Sequence, residues 1–150
     1  MRISTIVAIA TILFGVTIAS TEAQRTTAPT PAPPPETGVL PPGNVQHGQY
    51  LAEHVAMCVE CHSGRDGQGR IIDAERYLGA NIPFAPPWPN DWASRAPRNR
   101  GLPGYDDKMA LRLLTGGSIG RDGRQLRPPM PRFHMTRQDA ADIIAFLRSR

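Results

Sequence analysis

Cysteine is scarce in this chain, which has 150 residues and only two cysteines, Cys58 and Cys61. A fold held together by several disulfides is therefore excluded. A zinc site needs four ligands, and no second C-x-x-C pair is present to complete one. A thioredoxin-like dithiol would lie beside a βαβ unit, and no convincing strand pattern occurs anywhere in the sequence. The two cysteines must serve another purpose.

Aromatic residues are also few, at 6% of the chain, and there is no internal repeat. No basic stretch is interleaved with aromatic residues, which argues against a nucleic acid as partner. The formal net charge of +4 comes almost entirely from arginine. Beyond keeping the protein soluble, this charge could steer it to an acidic protein or to an anionic membrane surface. The length fits one domain, and the absence of strands predicts a mostly helical one.

An apolar run long enough for a confident membrane span is missing as well. Residues 6–18 are apolar, but a span needs about 20 residues. This run follows Arg2 and precedes small residues that end at Ala23, as in a secretory signal peptide cleaved after Ala23. We therefore predict a signal peptide over residues 1–23 and a periplasmic protein; an uncleaved membrane anchor is the alternative. Residues 24–43 form a Pro- and Thr-rich linker, and the domain comprises residues 44–150.

Within that domain, five consecutive residues carry the clearest chemistry: Cys58-Val59-Glu60-Cys61-His62. The pattern C-x-x-C-H is the attachment signature of a c-type haem. Two thiols can bond to the two vinyl groups of a haem, which brings the adjacent histidine close to the iron. We predict Cys58 and Cys61 as attachment sites and His62 as an axial iron ligand. The motif occurs once, so one covalent haem is expected.

The second axial ligand decides what such a haem can do, because a closed iron transfers electrons and an open iron binds small molecules. Met130 lies between Pro129 and Pro131, which restrict the backbone of a short strap, and it is the favoured ligand. Met135 begins the last predicted helix and is the alternative. His134 would give a bis-histidine haem of lower potential. An open or labile site would instead suit a haem enzyme or a subunit that binds small ligands.

Three helices are predicted from caps and apolar spacing. The first covers residues 44–59, with Asn44 as its cap and an apolar stripe that includes Val45 and Val55. The second covers residues 105–115, with Asp106 as its cap. The third covers residues 136–150 and begins with the Thr136-x-x-Asp139 capping pair.

The region between the first two helices, residues 63–104, is rich in Gly and Pro, and we expect it to wrap a haem edge. Trp88 and Trp92 either cover the haem rim or cover a small cluster formed by the loop itself. Basic residues are expected around the exposed haem edge: Arg65, Arg70, Arg124 and Arg132. The residues predicted to line the pocket are Ile71, Ile72, Leu78, Ile82 and Phe84.

Together these motifs resemble the bacterial monohaem class I-like cytochromes c, and in particular the cytochrome c subunits of alcohol and aldehyde dehydrogenases. The resemblance runs from Gly48 to the C-terminus. The matching segments are Gly48-Gln49-Tyr50-Leu51, the Cys58 to His62 motif, Arg65-Asp66-Gly67-Gln68-Gly69-Arg70, Gly101-Leu102, residues 111–116, Asp122-Gly123-Arg124, Pro128-Pro129-Met130-Pro131 and residues 136–147.

The resemblance implies an all-α, cytochrome c-like fold in which the N- and C-terminal helices cross around one covalent haem. It implies a distal methionine about sixteen residues before the aromatic residue of the last helix, here Phe146, which selects Met130. It also implies an electron carrier that is not itself an enzyme and whose redox partner is a dehydrogenase or a terminal oxidase. Two features depart from these relatives. Dehydrogenase subunits often carry three haems, and no proline follows His62 before Pro83 to accept from its second nitrogen.

Overall fold

The computed structural model describes residues 39–150. The predicted signal peptide, residues 1–23, and the linker up to residue 38 lie outside the described residues. In chain order, the helices and strands are α1 (Val45–Tyr50), a π-helical turn (Leu51–Val55), α2 (Cys58–His62), a 3-10 turn (Asp73–Glu75), β1 (Ala80–Asn81), β2 (Arg95–Ala96), α3 (Asp107–Leu114) and α4 (Arg137–Arg148). The predicted all-α class is confirmed.

The first and last helices cross at Gly48, where the backbones of α1 and α4 approach closely. A Cβ atom added to Gly48 would lie only 1.9 Å from the carbonyl oxygen of Asp142. The buried carboxylate of Asp142 fixes this crossing, because it accepts from the Asn44 N–H at 2.7 Å and lies 2.7 Å from Nδ1 of His47. The crossing implied by the resemblance is therefore present.

Helix α4 supplies much of the core. Its predicted apolar face, made of Ala140, Ile143, Ile144 and Leu147, is buried, and so is Phe146. The Phe146 ring packs edge-on against the buried Tyr77 ring at 5.6 Å between centroids. All three predicted N-caps form: the Asn44 side-chain oxygen accepts from the His47 N–H, the Asp106 carboxylate from the Met109 N–H, and Thr136 Oγ1 from the Asp139 N–H.

The prediction of one continuous first helix over residues 44–59 is wrong. The α-helix ends at Tyr50, widens into the π-helical turn, and breaks at Met57, whose φ is +54°. The predicted stripe is also wrong in part, since Val45 and Val55 are exposed while Gly48 and Ala52 are buried. Close helix packing selects small residues, which a count of large apolar positions overlooks.

Residues 63–104 contain a small hairpin that the sequence did not reveal. Strands β1 and β2 pair antiparallel, with Ala80 opposite Ala96. Two-residue strands are too short for an alternating pattern to be recognised.

The last residues of the predicted linker lie along α4, where the carbonyls of Val39 and Pro42 accept from Arg137 and Gln138. Among residues 39–150, no helix is both long enough and apolar enough to span a membrane.

Candidate haem site

A cavity of about 450 Å³ lies between α2, the hairpin, α3, α4 and the strap around Met130. Its volume falls within the range of roughly 300–1,000 Å³ that is usual for sites of small molecules and cofactors. Most of the side chains that line it are apolar, and several belong to the buried core: Ala110, Leu114, Ile143, Ile144 and Leu147. An apolar body enclosed here would complete the hydrophobic core.

Helix α2 brings Cys58 and Cys61 to this cavity. Neither thiol is in a disulfide. Burial raises the pKa of Cys58 to about 11, and burial also raises the pKa of Cys61, with a smaller contribution from the charge of Glu60. A redox-active dithiol needs the opposite shift. The environment therefore argues against a redox role and agrees with thiols that are consumed in a covalent attachment.

His62 lines the cavity and is held in one orientation. Its Nδ1 lies 2.6 Å from the carbonyl oxygen of Pro97, the residue after β2. A carbonyl only accepts, so Nδ1 carries the proton and the Nε2 lone pair remains for a metal. Burial lowers the pKa of His62 more than the hydrogen bond to Pro97 raises it, which favours the neutral, ligating form.

The structure separates the three candidates for the second ligand. Met130 lines the same cavity as His62. Met135 packs against the hydrophobic core, with its N–H donating to the Leu114 carbonyl at 3.0 Å. His134 is exposed. Neither Met135 nor His134 contributes to the cavity lining, so the strap brings Met130 alone of the three together with His62.

The family profile described as Cytochrome c matches residues 45–150. The chain belongs to the cytochrome c family. Members of this family bind covalently attached haem c with its iron, and they generally transfer electrons. No curated protein matches the chain.

Five polar residues of this cytochrome's cavity suit the carboxylates of a haem, although Glu60 and Asp122 also line it and carry carboxylates of their own. Arg95, Arg98 and Arg121 line the cavity, together with Asn99 and Tyr105. Cations and neutral donors of this kind bind carboxylates through charge-assisted hydrogen bonds. The site thus offers two thiols, an imidazole, a thioether, an apolar interior and basic groups, which together fit haem c.

The arginines predicted around the haem edge do not line this cavity. Arg65 instead pairs with Glu60 and donates to the Gly69 carbonyl, and Arg70 pairs with Asp66. Arg124 and Arg132 are likewise absent from the lining. A sequence pattern does not reveal which of many arginines a fold turns toward one cavity.

Most of the predicted pocket-lining residues are also corrected. Ile82 lines the cavity, whereas Ile71, Ile72, Leu78 and Phe84 do not. Trp88 is 65% exposed. Trp92 packs edge-on against Phe84, with 6.1 Å between ring centroids. The hairpin explains the difference: it pairs Ile82 with Ser94 and leaves residues 83–92, none of which lines the cavity, as a loop with its own aromatic pair of Phe84 and Trp92.

Proposed function

We propose that this cytochrome is a periplasmic carrier of single electrons, with haem c attached to Cys58 and Cys61 and its iron held by His62 and Met130. The observation that carries the proposal is that one apolar cavity is lined by both thiols, the Met130 side chain and a histidine oriented for ligation. This arrangement favours a closed iron, and hence electron transfer over binding of small molecules.

The chain's own residues set the electronic properties of such a site. Pro97 keeps the proton on Nδ1 of His62, so the imidazole ligates as a neutral, oriented donor. The thioether of Met130 is also neutral, and this ligand pair favours the reduced iron and a raised potential. The apolar side chains of α3 and α4 exclude water, which acts in the same direction. The haem, when bound, supplies one-electron cycling between Fe(II) and Fe(III).

We further propose that the protein is exported through residues 1–23 and exchanges electrons with an acidic partner protein. The signal-peptide pattern supports the export. The net charge of +4 supports the sign of the partner's surface. A dehydrogenase or a terminal oxidase is the proposed class of partner, and a role as a subunit of such a complex fits the same chemistry.

Replacing Met130 tests the ligand assignment. In Met130→Ala, we expect the oxidised protein to lose the weak sulfur-to-iron absorbance band at the red end of its spectrum. We also expect the reduction potential to fall, because the thioether ligand that favours Fe(II) is removed. Visible spectroscopy and redox titration of the purified holoprotein measure both.

The matched control is Met135→Ala, which removes a half-buried methionine from the core and should retain the band while lowering stability. A band that persists in Met130→Ala would refute Met130 as ligand. A band lost only in Met135→Ala would establish the alternative ligand, and a wild-type protein without the band would favour an open site.

A further inference from the structure

The hairpin of β1 and β2 contacts the chain at two places that matter for the proposed ligands. At its end, Pro97 accepts a hydrogen bond from Nδ1 of His62 at 2.6 Å. Within its loop, residues 91–93 contact residues 127–128, which lead into the strap that carries Met130. The hairpin therefore contacts both His62 and the segment that carries Met130.

The contact between loop and strap consists of three hydrogen bonds. The guanidinium of Arg127 donates from Nε to the carbonyl of Asp91 and from Nη2 to the carbonyl of Trp92, the latter at 2.9 Å. The Ala93 N–H donates to the carbonyl of Pro128 at 2.6 Å. The guanidinium thus binds two successive carbonyls with the two arms of one rigid fork.

The strap has few other means of attachment, because proline supplies no N–H. Pro128, Pro129 and Pro131 therefore donate nothing. Among residues 128–131, only Met130 has an amide N–H. It donates to the Arg127 carbonyl at 3.2 Å, which is a hydrogen bond within the same segment. Among the described residues, the hydrogen bonds that join residues 127–131 to other segments come from the Arg127 side chain and the Pro128 carbonyl. Leu126 and Arg132, on either side, each donate to Ser118.

We propose that Arg127 is a positioning residue for Met130: by joining the strap to the hairpin that also orients His62, it keeps the thioether on the iron. This inference rests on the proposed ligation by Met130. Without the fork, the strap opens more often, and an external ligand competes more successfully for the position that the thioether vacates.

Titration of the oxidised, full-length holoprotein with imidazole tests this. Arg127→Gln removes the two charge-assisted hydrogen bonds of the guanidinium. We expect this loss to change the equilibrium for opening of the strap about tenfold, so Arg127→Gln should bind imidazole about tenfold more tightly than wild type. Arg127→Lys keeps the charge but not the fork, and should lie between the two. Hydrogen exchange at the Ala93 amide should be faster in Arg127→Gln, independently of any added ligand.

Arg124→Gln is the matched control, since it removes the same charge three residues away. Among residues 39–150, Arg124 forms hydrogen bonds through its backbone and none through its guanidinium. Its imidazole affinity should equal that of wild type. An equal tightening in Arg124→Gln and Arg127→Gln would show a general charge effect and overturn the proposal.

The outcomes separate this inference from the proposed function. If the red-end band depends on Met130 but Arg127→Gln binds imidazole like wild type, the positioning role is wrong and the ligand assignment stands, even where the melting temperature falls. If the band does not depend on Met130, both are overturned. Should Arg127→Gln fail to fold, Arg127→Lys replaces it, and wild-type imidazole affinity in that variant overturns the role of the fork.

Discussion

At the scale of single residues, the carbonyl of Pro97 determines how His62 can act. It fixes the tautomer and the ring orientation together, so the imidazole presents one nitrogen to the cavity. Burial keeps the ring neutral by lowering the pKa of His62. A ligating histidine therefore needs no proton loss before it can bind a metal at neutral pH.

Asp142 is a second residue whose environment has a measurable effect. Burial alone would raise its pKa, but hydrogen bonds from His47, the Asn44 N–H and Gln138 outweigh burial and hold the pKa below its usual value. The folded pKa is thus lower than the unfolded one. The resulting stabilisation is complete above an unfolded pKa of about 3.9 and is lost as the pH falls through the folded pKa.

Asp142→Asn should therefore be less stable than wild type at pH 7 and lose less of its remaining stability on acidification. Urea unfolding at several pH values between about 6 and 2 measures this difference. Asp91→Asn, at an exposed carboxylate for which the described part of the chain shows no side-chain hydrogen bond, is the control. If the free energy of unfolding fell as steeply with decreasing pH in Asp142→Asn as in wild type, Asp142 would not be the source of this pH dependence.

At this scale, the sequence predicted those site residues that lie next to one another in the chain and form a recognisable motif. Cys58, Cys61 and His62 form one such run, and the prolines beside Met130 mark another. Pro97 escaped detection because it lies 35 residues from His62 and contributes a backbone carbonyl, which carries no side-chain signature. Arg127 resembles the chain's other arginines until the fold places it against two carbonyls.

At the scale of helices and strands, the crossing of α1 and α4 depends on a missing side chain. The Cβ atom absent from Gly48 would collide with the backbone of Asp142, which cannot rotate away as a flexible side chain could. The two helices would have to separate. The same separation would disturb the Asp142 hydrogen bonds to Asn44 and His47.

Gly48→Ala should accordingly lower the free energy of unfolding by about 1–3 kcal/mol or more, the usual effect of overpacking. The gain in helix propensity from alanine opposes this loss with about 1 kcal/mol. Gly67→Ala is the control, because a Cβ there meets nothing within 4 Å. Denaturant unfolding compares the two, and equal stabilities would show that the helices do not cross as closely as described.

Sequence patterns predicted the elements unequally. α3 and α4 carry side-chain caps and regular apolar spacing, and they form within two residues of the predicted ends. The pattern mispredicted the first helix because Met57 adopts a left-handed backbone conformation, and no glycine or proline at this position indicates a break. That break reorients the chain and directs Cys58 and Val59 into the core.

At the scale of the whole molecule, the fold encloses a cavity of about 450 Å³ within a domain of modest size. The cavity touches α2, α3, α4 and the strap, so the packing of each depends on what fills it. A small domain has little apolar surface to spare for such a void. The haem of this family would supply the missing contacts.

The double variant Cys58→Ser/Cys61→Ser, which cannot attach haem covalently and is purified free of haem, should therefore lose most of its helix content and its cooperative unfolding. Far-UV circular dichroism during heating measures both. Serine resembles cysteine closely in size, so the expected loss comes from the absent cofactor rather than from altered packing. Full helicity with a sharp transition would show that the polypeptide forms its core unaided.

The hairpin loop has a consequence for how the length of this chain can change during evolution. Surface loops usually accept insertions and deletions. Here residues 91–93 are hydrogen-bonded to the strap, and Pro97 is hydrogen-bonded to His62. One residue inserted between Asp91 and Pro97 would therefore disrupt one of these two contacts. The tip around Trp88, whose side chain is 65% exposed, has no such tie. Homologues should vary in length at the tip and keep the spacing from Asp91 to Pro97 constant.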